Sequence, residues 1–383
     1  MDNPVPIRPD DRLAILLHGG LKDIHGKTGR AMIRYGNHQV VAVIDETQAG
    51  KTVDEVTSLD CQAPIFDSVE AALATNPDVL AIGIAPSGGK LPEEWIDGLE
   101  AAVHAGVSLL AGLHTRLGDV PQLRRALEDR LGNLACERGD DGQSTLAARW
   151  RTLCTVGTDD QWICDVRCEP PGLEVGSGRA RNTEVERVVI VGTDMAVGKK
   201  STALEIDAAA RARGIKSSFV ATGQTALMLG HPGIALDAVR IDYAAGAVEQ
   251  AVLHQVDDGA DLVVVEGQGS LANPASSAVL PLLRGAQPQH LVLAHRHGQT
   301  HCKPFPDFKI PPLNDLVDLY EQLASAGGTF VESKVRAIAL NTASLSQKDA
   351  RDAIADIEST TGLPCEDPVR NGGDKLLEAI ATR

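Results

Sequence analysis

A chain of 383 residues, 43% hydrophobic and 23% charged, has the composition of a soluble globular protein and the length of two domains. Its 52 acidic and 36 basic residues give a net charge of −16, which argues against nucleic acid or anionic membrane as the main partner and makes any positive site a local exception. No apolar run reaches the ~20 residues of a membrane helix, and the first ten residues lack the charge-then-apolar order of a signal peptide. The expectation is a cytoplasmic homo-oligomer that handles a small-molecule substrate, with no nucleic-acid or membrane partner. Seven scattered cysteines without a C-x-x-C pair suit reduced thiols; Cys164 and Cys168 sit in an alternating, strand-like stretch, where ordinary packing is expected.

From the start, strand-like and helix-like segments alternate at intervals that imply βαβ units and a mainly parallel sheet. Residues 13–17 predict a buried strand, 29–35 a helix, 40–44 a second strand ending at Asp45, 79–85 a third, 92–105 a helix and 107–111 a fourth strand. This is a Rossmann-like domain over 1–135. Its first turn, His18-Gly19-Gly20 to His25-Gly26-Lys27-Thr28, has no G-x-G-x-x-G, and Asp45 by itself does not make a dinucleotide site. The turn still offers glycines, histidines and Lys27 at a strand's carboxyl end, as a ligand site or as a polar surface loop. Residues 136–183 lose the helical pattern and read as a connecting segment with short strands before a second domain over 184–383.

That domain opens on Val188-Val-Ile-Val-Gly192-Thr193-Asp194-Met195-Ala196-Val197-Gly198-Lys199-Lys200-Ser201-Thr202, an apolar strand breaking into a glycine-bounded loop and a helix. Gly192 and Gly198 let the backbone curl so that N–H groups point inward, the helix adds the positive end of its dipole, and a lysine adds a full charge. All eleven residues 192–202 are candidates for holding a phosphate-bearing ligand. Five residues instead of the usual four precede Gly198, and Lys200 stands where a Mg²⁺-binding hydroxyl normally follows the lysine. With Lys200 as the loop lysine, Ser201 falls in the hydroxyl position; the spacing leaves both registers open.

Downstream, Gln224 follows a strand and a glycine, and Asp242 stands either as a helix cap or in the site. Residues 262–265 predict a strand that delivers Glu266-Gly267-Gln268-Gly269, with Glu266 as the leading acid/base candidate or, alternatively, a carboxylate that closes its turn through backbone N–H bonds. His290, His295, His297, His301 and Cys302 match no metal spacing, so no metal is expected; the segment reads as a basic loop that contacts an anion or as solvated histidines.

The motifs at 192–202, Asp242 with Gly246 to Glu249, Glu266 to Ser270, and Asp367-Pro-Val-Arg-Asn-Gly372 resemble those of a family that includes D-glutamate N-acetyltransferase. The loop also resembles that of dethiobiotin synthetase, which has a threonine where Lys200 stands here. The first resemblance covers nearly the whole chain. It implies an α/β protein with an N-terminal Rossmann-like domain and a C-terminal P-loop NTPase-like domain, both with mainly parallel sheets. It also implies transfer of acetyl from acetyl-CoA to D-glutamate. Under it, Glu266 would accept the proton, Lys199 and loop N–H groups would face phosphate or oxyanion, and Asp242 would be a further catalytic candidate. Lys27, Gln224, Arg296 and Arg370 are candidates for the acceptor. An ATP/Mg²⁺-dependent ligase or kinase, and a nucleotide-sensing binding protein, are the rival classes.

Overall fold

A computed structural model describes residues 3–84, 86–132 and 146–381. The chain divides into two units, residues 3–172 together with Gln224–His231, and residues 173–223 together with 232–381. Among the described residues no helix is long and apolar enough to cross a membrane.

The first unit holds β1 (Arg12–Leu16), β2 (Gln39–Ile44), β3 (Ile65–Phe66), β4 (Val79–Ile82), β5 (Ser108–Ala111), β6 (Thr155–Gly157) and β7 (Trp162–Asp165) in the order β3-β2-β1-β4-β5-β7-β6. Every pair is parallel except β6 with β7. Strands in a parallel sheet covered on both faces must be apolar throughout, and Ala14, Ile15, Leu16, Ala42, Val43 and Ile44 are fully buried. The strand order reverses between β1 and β4, so the turn at His18–Gly20 leaves the sheet at its switch point. There Asp45 is fully buried, and its carboxylate accepts N–H bonds from Gly19, Leu21 and Thr47 at 2.9–3.1 Å. Asp45 therefore braces the glycine turn from inside.

The connecting segment expected over 136–183 requires correction. Residues 133–145, with Cys136, lie outside the described residues. Past them, Leu146–Cys154 is helical, and β6 and β7 form an antiparallel pair against β5. Trp162, Ile163 and Cys164 are buried, so these strands cover what would otherwise be an exposed sheet edge. The short strands were expected here; their place in the first sheet was not, because a strand of three or four residues carries no sign of its partner. The far end, Ser177 and Arg179, belongs to the second unit, where the buried Glu249 accepts both backbone N–H groups, the Ser177 hydroxyl and the Arg179 Nε–H.

The second unit holds β8 (Glu186–Gly192), β9 (Ser217–Val220), β10 (Leu262–Val265), β11 (His290–Arg296), β12 (Lys334–Asn341) and β13 (Cys365–Glu366), all parallel, in the order β13-β12-β11-β8-β10-β9. Helices Lys199–Ala212, Ile241–Asp257, Val279–Ala286, Leu313–Ala324 and Gln347–Thr361 separate the strands. β8 is thus flanked by β10 and β11, and the carboxyl ends of these three strands surround the phosphate loop.

Candidate active site

The loop after β8 turns on two unusual backbone conformations, Ala196 at φ 55° and Gly198 at φ 122°. The second is one that only glycine adopts without strain. The helix Lys199–Ala212 starts directly after Gly198, and its first N–H groups have no intrahelical acceptor. The buried Lys199 ammonium folds back into the loop and donates to the Asp194 carbonyl at 2.7 Å. This settles the register: Lys199 is the loop lysine. Lys200, half-buried in the first turn of the helix, occupies the usual hydroxyl position.

The other loop residues divide by task. Asp194 is fully buried, and its carboxylate accepts from Asn273 Nδ2 (2.7 Å), Gln299 Nε2 (2.5 Å) and the Lys303 N–H (2.8 Å), so it holds neighbouring loops in place. Val197 is buried, with its carbonyl bound by Asn341 Nδ2 at 3.3 Å, and the Thr202 hydroxyl donates to the Gly198 carbonyl at 3.1 Å. Gly192 gives its carbonyl to the Tyr320 hydroxyl at 2.7 Å. The Thr193 hydroxyl meets His295 Nδ1 at 2.9 Å, and burial pushes that imidazole down to about 4, leaving it neutral near pH 7. Met195 and Ser201 are half-buried and Ala196 is exposed.

Glu266 directly follows β10 beside this loop. Its carboxyl is buried, and one oxygen, Oε2, accepts the N–H groups of Thr222 and Gly223 at 3.0 and 3.1 Å. Both readings of Glu266 therefore remain compatible, since the turn-closing bonds are present. Burial raises its pKa, and Lys200, the two N–H groups and Lys199 oppose the rise. A carboxyl so held suits proton transfer near neutrality better than a solvated one. Gly267 makes this closeness possible. A Cβ there would stand 1.5 Å from the Ile190 carbonyl oxygen and 2.9 Å from Lys199 Cδ.

Other sequence candidates are placed elsewhere. Arg370 is spent on the fold: it donates to the Thr342 hydroxyl (2.8 Å), the Thr342 and Leu345 carbonyls (2.9 and 2.6 Å) and Gln347 Oε1 (3.2 Å). Its role as an acceptor ligand is corrected on that ground. Asp242 is exposed in the first turn of Ile241–Asp257 with Arg240 at the cap position, so it does not cap the helix; it complements the dipole. Lys27, exposed at the start of the helix Lys27–Tyr35, and Gln224, packed on Gly112, both belong to the first unit. Arg296 belongs to the second, and its Nη2 donates to the Ala196 carbonyl at 2.6 Å. The histidines are dispersed: His290 pairs with Glu186 at the start of β11, His295 sits at its end, and His297 and His301 lie in the loop beyond. Among the described residues no group of three or more His, Cys, Asp or Glu side chains could hold a metal.

The sequence reading missed Asn273, Gln299, Tyr320 and Asn341, which clamp the phosphate loop from four separate segments. Each is a lone polar residue without a local motif, so only the fold reveals it.

Known proteins share this arrangement. A domain of unknown function described as the DUF1611_C P-loop domain matches residues 174–377, and its DUF1611_N Rossmann-like counterpart matches 46–133. A protein of Tritonibacter scottomollicae named D-glutamate N-acetyltransferase is 36% identical over 315 residues, 82% of this chain and 84% of the relative. A protein of the same name from a Pseudoalteromonas species is 28% identical over 311 residues, 81% of this chain and 83% of its own. The crystal structure of a DUF1611 family protein from Anabaena variabilis ATCC 29413 is 47% identical and superposes with a TM-score of 0.86, covering 98% of this chain and 100% of that one. By its phosphate loop, its two units and these matches, the chain belongs to the DUF1611 family, with a Rossmann-like N-terminal domain and a P-loop C-terminal domain.

Proposed function

We propose that the protein is an acyltransferase that moves an acetyl group from acetyl-CoA to the amino group of D-glutamate or a related acidic amino acid. The two relatives named for this activity support the reaction class. The observation that carries the donor is the phosphate loop whose lysine is followed by Lys200. A loop that cleaves a nucleotide uses a hydroxyl there for Mg²⁺. Coenzyme A has phosphates to be held and none to be cleaved, so a second lysine suits it. A cytoplasmic location, where CoA thioesters are made and used, goes with this reading.

In the reaction, the α-ammonium group of the acceptor gives a proton to the Glu266 carboxylate, and the free amine attacks the thioester carbonyl. Lys199 or loop N–H groups stabilise the oxyanion that forms. Collapse breaks the carbon–sulfur bond, the CoA thiolate takes up the proton from Glu266, and the amide nitrogen sheds its remaining extra proton to water, so one proton is released per turnover. Arg296, in the same unit as Glu266, is the candidate left to hold the acceptor.

Thiol release from acetyl-CoA, measured with D-glutamate, L-glutamate or no acceptor, tests the proposal. D-glutamate-dependent release is expected. Phosphate release from ATP/Mg²⁺ in its place would move the protein to the ligase or kinase class.

A further inference from the structure

Beside the phosphate loop, residues 296–306 surround a cavity of about 510 Å³. Its ionisable wall is Arg296, His297, His301 and Lys303, with the Cys302 thiol buried behind them, and no carboxylate is among its lining residues. On a chain of net charge −16, a wall of one sign is a local exception with a chemical meaning.

Backbone bonds fix the loop that carries this cavity. The Cys302 N–H donates to the Phe308 carbonyl (2.8 Å), the Ile310 N–H to that of Thr300 (2.9 Å), and the Phe305 N–H to that of Cys302 (2.8 Å). It is also bolted to the phosphate loop: the Lys303 N–H and Gln299 Nε2 both donate to Asp194, and Asn273 Nδ2, bound to the same carboxylate, donates to the Lys303 carbonyl at 3.1 Å. One donor in the wall still lacks an acceptor. Arg296 uses Nη2 on the Ala196 carbonyl, yet its buried Nε has no hydrogen-bond partner among the described residues. The His301 Nδ1 meets the Thr300 hydroxyl at 2.9 Å, which holds the ring in the wall.

We infer that this cavity is an oxyanion subsite working alongside the phosphate loop, with Arg296, His301 and Lys303 as its ligands. The inference deepens the acetyl transfer proposed above and rests on it for the identity of the oxyanion, which is either a carboxylate of the acceptor or the ribose phosphate of coenzyme A. Both present planar or tetrahedral oxygens to a guanidinium and an ammonium.

The test is calorimetric titration of the full chain and of the double variant His301→Ala/Lys303→Ala with D-glutamate, CoA and dephospho-CoA. Both positions are exposed and outside the phosphate loop, and Lys303→Gln serves if the double variant is misfolded by circular dichroism. The expected result is a loss of affinity of roughly 10- to 100-fold for one ligand, the range for charge-assisted hydrogen bonds. Weaker D-glutamate binding assigns the acceptor carboxylate. CoA weakened to the level of dephospho-CoA assigns the ribose phosphate. Unchanged affinity for every ligand the wild type binds overturns the subsite and leaves the transfer reaction standing. If the wild type binds none of them and releases no thiol, the transfer reading itself fails. The subsite is then judged with inorganic phosphate, followed through the His297 and His301 Cε1–H resonances: saturable shifts lost in Lys303→Gln support it, and their absence overturns it.

Discussion

The turn-closing bonds of Glu266 and the proton transfer proposed for it can be separated. Because Oε2 alone accepts both N–H bonds, Glu266→Gln can keep them through its amide oxygen while losing the ability to take a proton. Turnover is expected to fall about 10²- to 10⁴-fold, with stability changed by less than about 1 kcal/mol; thiol release and a denaturant melt measure the pair. Retained turnover would leave Glu266 as a turn brace only. Burial raises its folded pKa, so the acid limb of kcat/KM should lie above the ordinary carboxylate range. The same sign governs stability. A raised carboxyl contributes stability in full below its unfolded pKa and loses it as pH rises through the folded value, so the melting temperature of Glu266→Gln should gain on wild type with rising pH. Arg370 makes the opposite prediction. Its removal as Arg370→Ala should cost about 1–3 kcal/mol by stranding the Thr342 and Leu345 carbonyls, while KM for D-glutamate stays unchanged; a raised KM at full stability would restore it as an acceptor ligand.

At the scale of elements, the loop between β8 and its helix is held by chain segments, not by its own glycines alone. The turn after β10 passes within reach of Ile190 only because residue 267 has no Cβ. Gly267→Ala should therefore push β10 from β8 and Lys199 from its position, costing about 1–3 kcal/mol or more along with most of the activity. A denaturation curve superimposable on wild type would show that the strands have room to part. The same loop predicts metal independence, since Lys200 replaces the Mg²⁺-binding hydroxyl: chelation by EDTA should leave acetyl transfer unchanged, and a loss restored by Mg²⁺ would favour the nucleotide-cleaving class. The α/β alternation and the phosphate loop were legible because most strands hold an apolar run and most of the turns that follow carry glycine. The short strands β6 and β7 were legible as strands, but their pairing against β5 was not, because so short a strand carries no sign of its partner.

For the whole molecule, two units with separate sheets imply that unfolding is not a single cooperative step. Scanning calorimetry should give a calorimetric enthalpy above the van't Hoff enthalpy. CoA at about 100 times its Kd should stabilise the transition of the P-loop unit by about 2.7 kcal/mol; equal enthalpies and one shifting peak would show that the units melt together. The chain passes between units not once but three times, since Gln224–His231 leaves the P-loop unit and packs with the first one. No composition change marks that excursion.

The sequence by itself determined the class of fold, the phosphate loop, the acid that follows β10 and the family, because these rest on local patterns: apolar runs, glycines at turns and residues at fixed spacing. Only the tertiary structure decided that Lys199 and not Lys200 enters the loop, that Asp194 and Arg370 are spent on holding backbone, and that Asn273, Gln299, Tyr320 and Asn341 converge on one loop. The physical reason is that a side chain's role depends on which donors and acceptors surround it, and those partners come from strands that are neighbours in the sheet but distant in the chain.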